Sequence, residues 1–190
     1  MNKDYEKLEK INKKIKTCTA CLLCESRNNA VPGEGIYEAK IMIVGEGPGK
    51  LNDLYGKPFI GRGGQILDNC LLDANLNREQ LYLTNVIKCR MPHNATPTNK
   101  IISICSSFLE EQIKIINPTV IVALGLPASI YLTGNKKIKL LDLQGKILMR
   151  GNQKLLCTYH PSSIRYNKEA RKSIVKTLVL AKKLCSGEHK

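Results

Sequence analysis

The chain is organised around a stretch in which an apolar run leads through a glycine-rich loop into an amphipathic segment. Residues 40–44 form an apolar run of strand length, and residues 45–49 (GEGPG) then place three glycines and a proline in five positions. Residues 65–72 repeat apolar side chains at helical spacing. A loop between a strand and a helix lies where open α/β sheets bind their ligands. The loop has neither Gly-x-Gly-x-x-Gly spacing nor a following Gly-Lys-Ser/Thr, and by itself it does not distinguish a ligand site from a structural turn.

The remainder of the chain alternates between strand-like and helix-like segments. Apolar runs of strand length recur at residues 81–87, 120–124 and 155–159. Helical periodicity covers residues 3–16, 99–117, 127–132 and 168–185. Residues 134–153 have the weak alternation of a loose hairpin or an irregular segment. This pattern predicts an α/β fold, a three-layer α/β/α sandwich with a central four-stranded, mostly parallel sheet. A length of 190 residues fits one domain over residues 1–190.

Three polar residues stand at or just past the carboxyl ends of predicted strands. They are Glu46, Asn85 and His160. Because the carboxyl ends of parallel strands meet at one edge of a sheet, we expect these side chains to converge there. The sequence therefore predicts a polar site at that edge.

The charge of the chain indicates a polyanionic partner. Lysine and arginine number 30 against 16 aspartates and glutamates, which gives a formal net charge of +14. Nucleic acid is the simplest partner for such an excess, and a lysine-rich composition without functional meaning is the alternative. No apolar run is long enough to span a membrane, and the charged residues 1–18 do not resemble a signal peptide. We therefore expect a cytoplasmic protein with no membrane partner.

Eight cysteines in a protein expected in the cytoplasm point to metal or cluster ligation, or to buried apolar thiols, rather than to disulfides. Cys18 and Cys21 form a Cys-x-x-Cys pair that Cys24 extends, and this spacing lets two thiolates converge on one metal or cluster. A redox pair is the alternative, but that motif opens a helix after a strand, and no strand is predicted before it. Cys89 follows a predicted strand, and Cys105 lies on the apolar face of a predicted helix.

Four short motifs, in this order along the chain, resemble the family 4 (iron–sulfur) uracil-DNA glycosylases. The motifs are GEGPG at 45–49, GKPFIG at 56–61, TNVIKCR at 84–90 and HPS at 160–162. The likeness runs from about residue 18 to residue 167 and includes VPGEG at 31–35. The family fold, a four-stranded parallel sheet between helical layers, agrees with the alternation of strands and helices. The resemblance implies a monomeric enzyme that flips uracil out of single- or double-stranded DNA and hydrolyses its N-glycosidic bond, which leaves an abasic site.

The resemblance also implies a [4Fe-4S] cluster as cofactor. Its ligands would be Cys18, Cys21, Cys89 and Cys105. Zinc is the alternative, because the same four thiolates would satisfy it. The other cysteines match no ligand of the family. We expect Cys70, Cys157 and Cys185 to be buried apolar residues, and Cys24 to lie near the cluster without binding it.

The same resemblance assigns roles in a uracil pocket. Phe59 would stack on the base, and Glu46 would exclude the methyl group of thymine. Asn85 would read the uracil edge with the donor and acceptor of its amide, a pattern that cytosine presents in reverse. A backbone turn would bind a uracil oxygen through its N–H groups. The residues of that turn are Gly47, Pro48 and Gly49.

Cleavage leaves an anionic uracil, so a hydrogen-bond donor aimed at the developing oxyanion lowers the barrier. His160 matches the family residue in that role. Asn52 stands where the family usually has a glutamate, and Asp53 keeps the second carboxylate of an acidic pair. These two residues are the candidates for positioning or activating water. Because an amide cannot act as a base, the alternative function is a catalytically weak binder of uracil-containing or damaged DNA.

The loop after the histidine would contact DNA through Ser162, Ile164 and Arg165. Ile164 would wedge into the duplex, with Arg165 and Tyr166 on phosphates or bases. The family commonly has two apolar residues and a basic one here, so this tract departs from its pattern. A suicide-type relative that traps the sugar on a histidine is a further alternative, which the absence of histidine from residues 61–64 disfavours.

Overall fold

The computed structural model describes residues 3–187, which form an α/β fold around one six-stranded sheet. The strands are β1 (Glu34–Gly35), β2 (Ile41–Gly45), β3 (Tyr82–Asn85), β4 (Val120–Leu124), β5 (Leu148–Arg150) and β6 (Gln153–Thr158). Their order across the sheet is β1-β3-β2-β4-β6-β5. Strands β3, β2, β4 and β6 run parallel to one another, whereas β1 and β5 pair antiparallel at the two edges.

The sheet is therefore mixed and has six strands, where the sequence predicts four mostly parallel ones. The sequence pattern does not reveal β1 because it consists of one glutamate and one glycine, both exposed. Strand β5 forms a hairpin with β6 within the weakly alternating stretch, and none of its three residues is buried. Edge strands pair on one side only and carry little of the apolar pattern on which strand prediction depends.

Seven α-helices surround the sheet within residues 3–187. They are α1 (Lys3–Lys16), α2 (Leu23–Ser26), α3 (Lys50–Tyr55), α4 (Arg62–Asp73), α5 (Asn99–Ile116), α6 (Leu126–Thr133) and α7 (Glu169–Ser186). Short 3-10 helices occur at Arg78–Gln80, Pro92–Asn94, Leu140–Leu143 and Pro161–Arg165. No helix in this part of the chain is long and apolar enough to cross a membrane.

The glycine-rich loop after β2 contains α3, which the sequence pattern does not reveal. Gly49 precedes this helix in an extended conformation, and Gly56 ends it in the left-handed region at φ 68°. Between the two glycines Asp53 is buried, whereas Leu54 and Tyr55 are exposed. Because the charged residue points inward and the large apolar residues point outward, hydrophobic periodicity gives no helical signal here.

The apolar side chains of the central strands alternate between two cores, one on each face of the sheet. On β4, Ile121 and Ala123 belong to the core that includes residues of α1, α5 and α6. Val122 and Leu124 belong to the core that includes residues of α4 and α7. A strand covered on both faces needs apolar residues at every position, which explains its unbroken apolar run. Helices therefore lie on both faces of the sheet.

The carboxyl ends of β2, β3 and β6 bring the polar residues of the three strands to one edge. Gly45 at the end of β2 pairs with Asn85 at the end of β3. The pairing continues past the strands, because the Glu46 carbonyl accepts a hydrogen bond from Ile87 N at 3.0 Å. Strand β6 ends at Thr158, and His160 follows two residues later. The three polar residues that were expected at this edge therefore lie along it.

Candidate functional site

A cavity of about 600 Å³ opens at this edge of the sheet. Its volume is within the range of pockets that hold small organic ligands. Nine of the residues expected at the site line this cavity, namely Glu46, Gly47, Pro48, Gly49, Asn52, Phe59, Asn85, His160 and Ser162. Further lining residues, for which no motif pointed to the site, include Arg62, Met91, Asn94 and Pro97; Ile87, within the 84–90 motif, also lines it. The structure thus brings most of the expected site residues to one place.

Phe59 and Asn85 approach the end of β2 so closely that only glycine fits there. A Cβ atom on Gly45 would lie 2.5 Å from Asn85 Oδ1 and 2.9 Å from Phe59 Cζ. Both side chains are buried, and Phe59 adopts a left-handed backbone conformation with φ 52°. A bulky residue in this region is strained and persists only where its surroundings hold it. The ring and the amide are therefore held side by side at the cavity.

Arg78 holds the backbone of the Phe59 loop. Its guanidinium donates to the Phe59 carbonyl at 3.4 Å and to the Pro58 carbonyl at 3.0 Å, and it also pairs with Asp68 at 2.7 Å. On the other side, a Cβ atom on Gly64 would lie 1.7 Å from the Phe59 oxygen. The first turn of α4 thus packs directly against this loop. Nothing in the local sequence around Arg78 indicates this contact, because its partners lie 10 to 20 residues earlier in the chain.

Glu46 and Gly47 line the cavity next to the end of β3. The Glu46 side chain is partly buried, and desolvation raises the pKa of its carboxyl group. A Cβ atom on Gly47 would lie 2.7 Å from Ile87 Cγ1, so glycine lets the turn pass close to the residues that follow β3. The cavity is therefore narrow at this point and has a carboxyl group in its wall.

His160 is held in one tautomer by the residue two positions later. Its Nδ1 accepts a hydrogen bond from Ser162 N at 3.2 Å and lies 2.7 Å from Ser162 Oγ. Because a backbone N–H can only donate, Nδ1 carries no proton, and the proton of the neutral ring is on Nε2. Desolvation lowers the pKa of His160, which favours this neutral form. Gly125 packs against the histidine, and a Cβ atom at this position would lie only 3.1 Å from His160 Cβ. The absence of a side chain on Gly125, whose φ of +86° also favours glycine, therefore leaves room for His160.

Asn52 lines the cavity, but both ends of its amide are engaged. Its Oδ1 accepts from Gly49 N at 3.0 Å, and its Nδ2 donates to the Lys57 carbonyl at 2.9 Å. These bonds cap the first turn of α3 and tie the turn at residues 47–49 to the segment that leads to Phe59. The geometry assigns Asn52 to holding the loop.

Asp53 does not reach the cavity, contrary to the expectation of a catalytic role. The side chain is buried, and its carboxylate accepts from Asn28 N at 3.0 Å, Asn28 Nδ2 at 2.5 Å and Asn29 N at 3.3 Å. Asn29 Nδ2 also donates to the Asp53 carbonyl at 2.9 Å. The carboxylate therefore fixes the segment after α2 against α3, and this places it away from any water in the cavity.

The expected DNA contacts are only partly at the surface. Ser162 is exposed at the cavity, and Arg165 is exposed with its guanidinium 5.6 Å from the centre of the Tyr166 ring. Ile164 is instead partly buried and packs against the core formed by α4 and α7. Ile164 therefore does not project from the loop as a wedge would, and its role as a wedge stays a prediction. The side chain that projects from this loop is Tyr166, which is 84% exposed.

Four cysteines line a second, small cavity beneath the end of α1, which we call the thiol cavity. Its cysteines are Cys18, Cys21, Cys89 and Cys105. Two donors point at their sulfurs: Arg27 Nη1 lies 3.0 Å from Cys89 Sγ, and Lys88 N lies 3.2 Å from Cys105 Sγ. Desolvation raises the pKa of the Cys105 thiol to about 11 and also raises the pKa of Cys89. Four sulfurs with cationic and N–H donors around them form a donor set that suits a negatively charged group.

The four thiols of the thiol cavity are the donor set that both a structural zinc ion and an iron–sulfur cluster use. Within residues 3–187, no group of three or more histidine, cysteine, aspartate or glutamate side chains is arranged to hold one ion. Tetrahedral zinc with Zn–S bonds of about 2.3 Å requires sulfurs roughly 3.8 Å apart. A [4Fe-4S] cluster is held by four thiolates as well, and metal analysis distinguishes the two groups.

The remaining four cysteines differ in how deeply they are buried. Cys70 and Cys157 are buried, as expected of small apolar residues. Cys185 is only partly buried and packs against the core that includes residues of α4 and α7, with Sγ 3.7 Å from the Lys40 carbonyl, so it meets the expectation of a buried apolar residue in part. Cys24 is partly buried and does not line the thiol cavity.

Comparison with known proteins identifies the family. The family model described as Uracil DNA glycosylase superfamily matches residues 32–182. The chain is 40% identical over 186 residues to a Type-4 uracil-DNA glycosylase of Thermotoga maritima, with 96% of this chain and 97% of the relative covered. It is 40% identical over 180 residues to a Type-4 uracil-DNA glycosylase of Pyrobaculum aerophilum, with 91% and 92% covered. A Type-5 uracil-DNA glycosylase of that organism is 27% identical over 158 residues, with 72% and 67% covered. The chain therefore belongs to the uracil DNA glycosylase superfamily and, within it, to the Type-4 uracil-DNA glycosylases.

Proposed function

We propose that this chain acts in the cytoplasm as a monomeric uracil-DNA glycosylase of base excision repair. It would flip uracil out of single- or double-stranded DNA and hydrolyse the N-glycosidic bond, leaving an abasic site. The observation that carries the proposal is the meeting of Phe59, Asn85 and the Nε2–H tautomer of His160 in one cavity. The relatives named Type-4 uracil-DNA glycosylase support the same activity.

Base recognition would combine a ring, an amide and a tight turn. Phe59 would stack on the flipped base, because Gly45 lies against its ring and Gly64 against its backbone, which together hold it at the cavity. The Asn85 amide would pair with an acceptor and a donor on the uracil edge, and cytosine would leave both groups unpaired. The carboxyl group of Glu46 would occupy the space that a thymine methyl needs. The turn at residues 47–49 would offer the backbone N–H of Gly47 to a uracil oxygen, because Pro48 has no N–H and Gly49 N donates to Asn52 Oδ1.

Bond cleavage would depend on stabilising the departing uracil. The Nε2–H of His160 would donate to the uracil oxygen that gains negative charge as the bond breaks. Neutral histidine is already a donor here, so no prior protonation is needed. Asn52 and Asp53 are both committed to holding the protein backbone. The proposed mechanism therefore places the main contribution on His160 and not on a base supplied by α3.

The excess positive charge would hold the DNA backbone around this cavity. The net charge of +14 favours contacts with phosphates, which release counterions. Arg62 lines the cavity, and Arg165 and Ser162 are exposed in the loop after His160. Tyr166, on which Arg165 stacks, would take the place of Ile164 as the side chain that contacts the bases next to the flipped nucleotide.

The thiol cavity would hold a [4Fe-4S] cluster. Cys18, Cys21, Cys89 and Cys105 would be the ligands, since these four thiols line one cavity and donors from Arg27 and Lys88 point at two of the sulfurs. When bound, the cluster would link the end of α1, the segment after β3 and helix α5 through iron–thiolate bonds. Arg27 would help to balance its negative charge from its position at Cys89.

The activity is tested with matched oligonucleotides that carry one uracil, one thymine or one cytosine at the same position. We expect the protein to produce alkali-labile abasic sites at uracil in single strands and duplexes, and none at thymine or cytosine. Wild-type protein that binds the uracil strands and releases no base would favour the alternative of a weak binder of uracil-containing DNA. Release of free uracil, measured directly, excludes strand cleavage by a contaminating nuclease.

The cluster is tested by Cys105→Ser with Cys24→Ser as control. Protein purified without oxygen should be brown and contain about four irons per chain. Cys105→Ser should lose most of this iron and unfold at a lower temperature, because Cys105 is in the thiol cavity. Cys24 lies close in sequence but outside the cavity, so Cys24→Ser should keep its iron. Stoichiometric zinc without iron in wild-type protein would contradict the assignment.

A further inference from the structure

Lys88 is a fully buried lysine that the proposed reaction does not use. It lies between the two sites: it directly precedes Cys89, and its backbone N–H points at Cys105 Sγ. Its side chain is 1% exposed and reaches back towards the base site. Lys88 forms no ion pair with any carboxylate of residues 3–187. Burying a lysine side chain costs free energy unless its N–H groups find hydrogen-bond acceptors.

Three neutral acceptors satisfy the three N–H groups of the ammonium. Nζ donates to Thr84 Oγ1 at 2.6 Å, to Gln112 Oε1 at 2.7 Å and to the backbone carbonyl of Asn85 at 2.8 Å. Three acceptors around one nitrogen require the protonated form, because a neutral amine has only two N–H groups.

The acceptors are themselves fixed by a second layer of hydrogen bonds. Thr84 Oγ1 donates to the Pro32 carbonyl at 2.7 Å. Gln112 Nε2 donates to the same carbonyl at 3.0 Å and to the Tyr82 hydroxyl at 3.1 Å. The Gln112 amide can therefore present only its oxygen to Lys88. A satisfied network of this kind is rigid, so the position of Nζ is set by groups on β3, α5 and the loop before β1.

The bond from Nζ to the Asn85 carbonyl fixes the peptide plane at the end of β3. Asn85 is the last residue of that strand, and its Oδ1 already lies against Gly45 with no space for a methyl group between them. A tilt of this peptide would move the amide that faces the base cavity. A displacement of about 1 Å in a positioning group costs on the order of a hundredfold in rate.

We propose that Lys88 is a positioning residue that sets the orientation of Asn85 and thereby the selection of uracil over cytosine. The inference rests on the proposed function, since it takes Asn85 as the residue that reads the base. Lys88 touches no substrate. It acts through the Asn85 backbone, and its anchor on the other side is the loop that carries Cys89.

The test replaces Lys88 with methionine, which has a similar length and no donor. Single-turnover excision from uracil DNA is expected to fall about tenfold, as for a lost hydrogen bond to a charged group. The preference in affinity for uracil-containing over cytosine-containing strands should shrink by a similar factor. Affinity for ordinary duplex should stay within about twofold of wild type, because the phosphate contacts are unchanged. Iron content is measured on the same samples.

Tyr82→Phe is the matched control. It removes a hydroxyl from the same buried network without touching Lys88 or Asn85, so the preference for uracil should match wild type. Thr84→Val removes one acceptor of Nζ and should shift the preference in the same direction as Lys88→Met. If Lys88→Met does not fold or loses its iron, Thr84→Val decides the question.

A uniform loss of rate with wild-type preference for uracil, in Lys88→Met or in the deciding Thr84→Val, would overturn the proposal and leave Lys88 a purely structural residue. The affinity measurement separates this outcome from failure of the proposed function. If wild-type protein excises no uracil, the preference in binding still reports whether Lys88 orients Asn85.

Discussion

Replacing His160 with alanine should slow single-turnover excision of uracil by about a hundredfold or more, with near-native affinity for uracil-containing DNA. The bond from Ser162 N to Nδ1 leaves Nε2 as the donor, and this donor strengthens its contact only as charge develops on the uracil oxygen. Loss of a contact of this kind lowers the rate of excision more than the affinity for DNA. Rates are measured with enzyme in excess over labelled uracil duplex, and affinity by titration of a duplex with an abasic-site analogue.

His93→Ala is the control for this experiment, because His93 is exposed and is not among the residues that line the cavity. It should excise uracil at the wild-type rate. The pH dependence provides a second check. Since desolvation lowers the pKa of His160 below its ordinary value of 6.5, the neutral Nε2–H form persists into more acidic solution. The rate of the wild-type protein should therefore fall only at pH values below 6.5. A His160→Ala protein that excises uracil as fast as wild type would refute the role assigned to His160.

Much of the fold can be predicted from the sequence where an element has a regular pattern of buried residues. Strand β4 coincides with its predicted bounds because both of its faces are covered and every residue is apolar. The meeting of Glu46, Asn85 and His160 follows from one rule, since parallel strands place their carboxyl ends at a common edge. In each case a local pattern carries all the information that is needed.

The misplaced residues depend on contacts that are distant in sequence. The sequence predicts the Asp53 carboxylate at the cavity, but its partners Asn28 and Asn29 lie 25 and 24 residues away and have no motif of their own. Ile164 was expected to project towards DNA, yet an isoleucine beside a helical core gains more by packing against it. Lys88 begins a polar stretch that continues with Cys89 and Arg90 and looks like a surface loop, and only the folded chain shows that Lys88 is buried.

Gly45→Ala should reduce uracil excision by roughly a hundredfold while the rest of the fold remains intact, since a misplacement of about 1 Å is sufficient for such a loss. The added Cβ would lie 2.5 Å from Asn85 Oδ1 and 2.9 Å from Phe59 Cζ, so both the amide and the ring must move. The backbone of Gly45 is that of a regular strand, and alanine therefore brings no conformational strain of its own. A loss of rate in Gly45→Ala would therefore report on the fit of Gly45 against the Asn85 and Phe59 side chains.

Gly61→Ala is the matched control for Gly45→Ala. Gly61 precedes α4 with φ −85°, and a Cβ atom there would meet only Leu51 at 3.8 Å, which is ordinary contact. The two variants are compared by single-turnover rate, by iron content and by unfolding temperature. Gly45→Ala should be slow with wild-type iron, and Gly61→Ala should match wild type in all three. Equal rates for the two variants would mean that the base does not lie between Phe59 and Asn85, and that the cavity selects uracil by other groups.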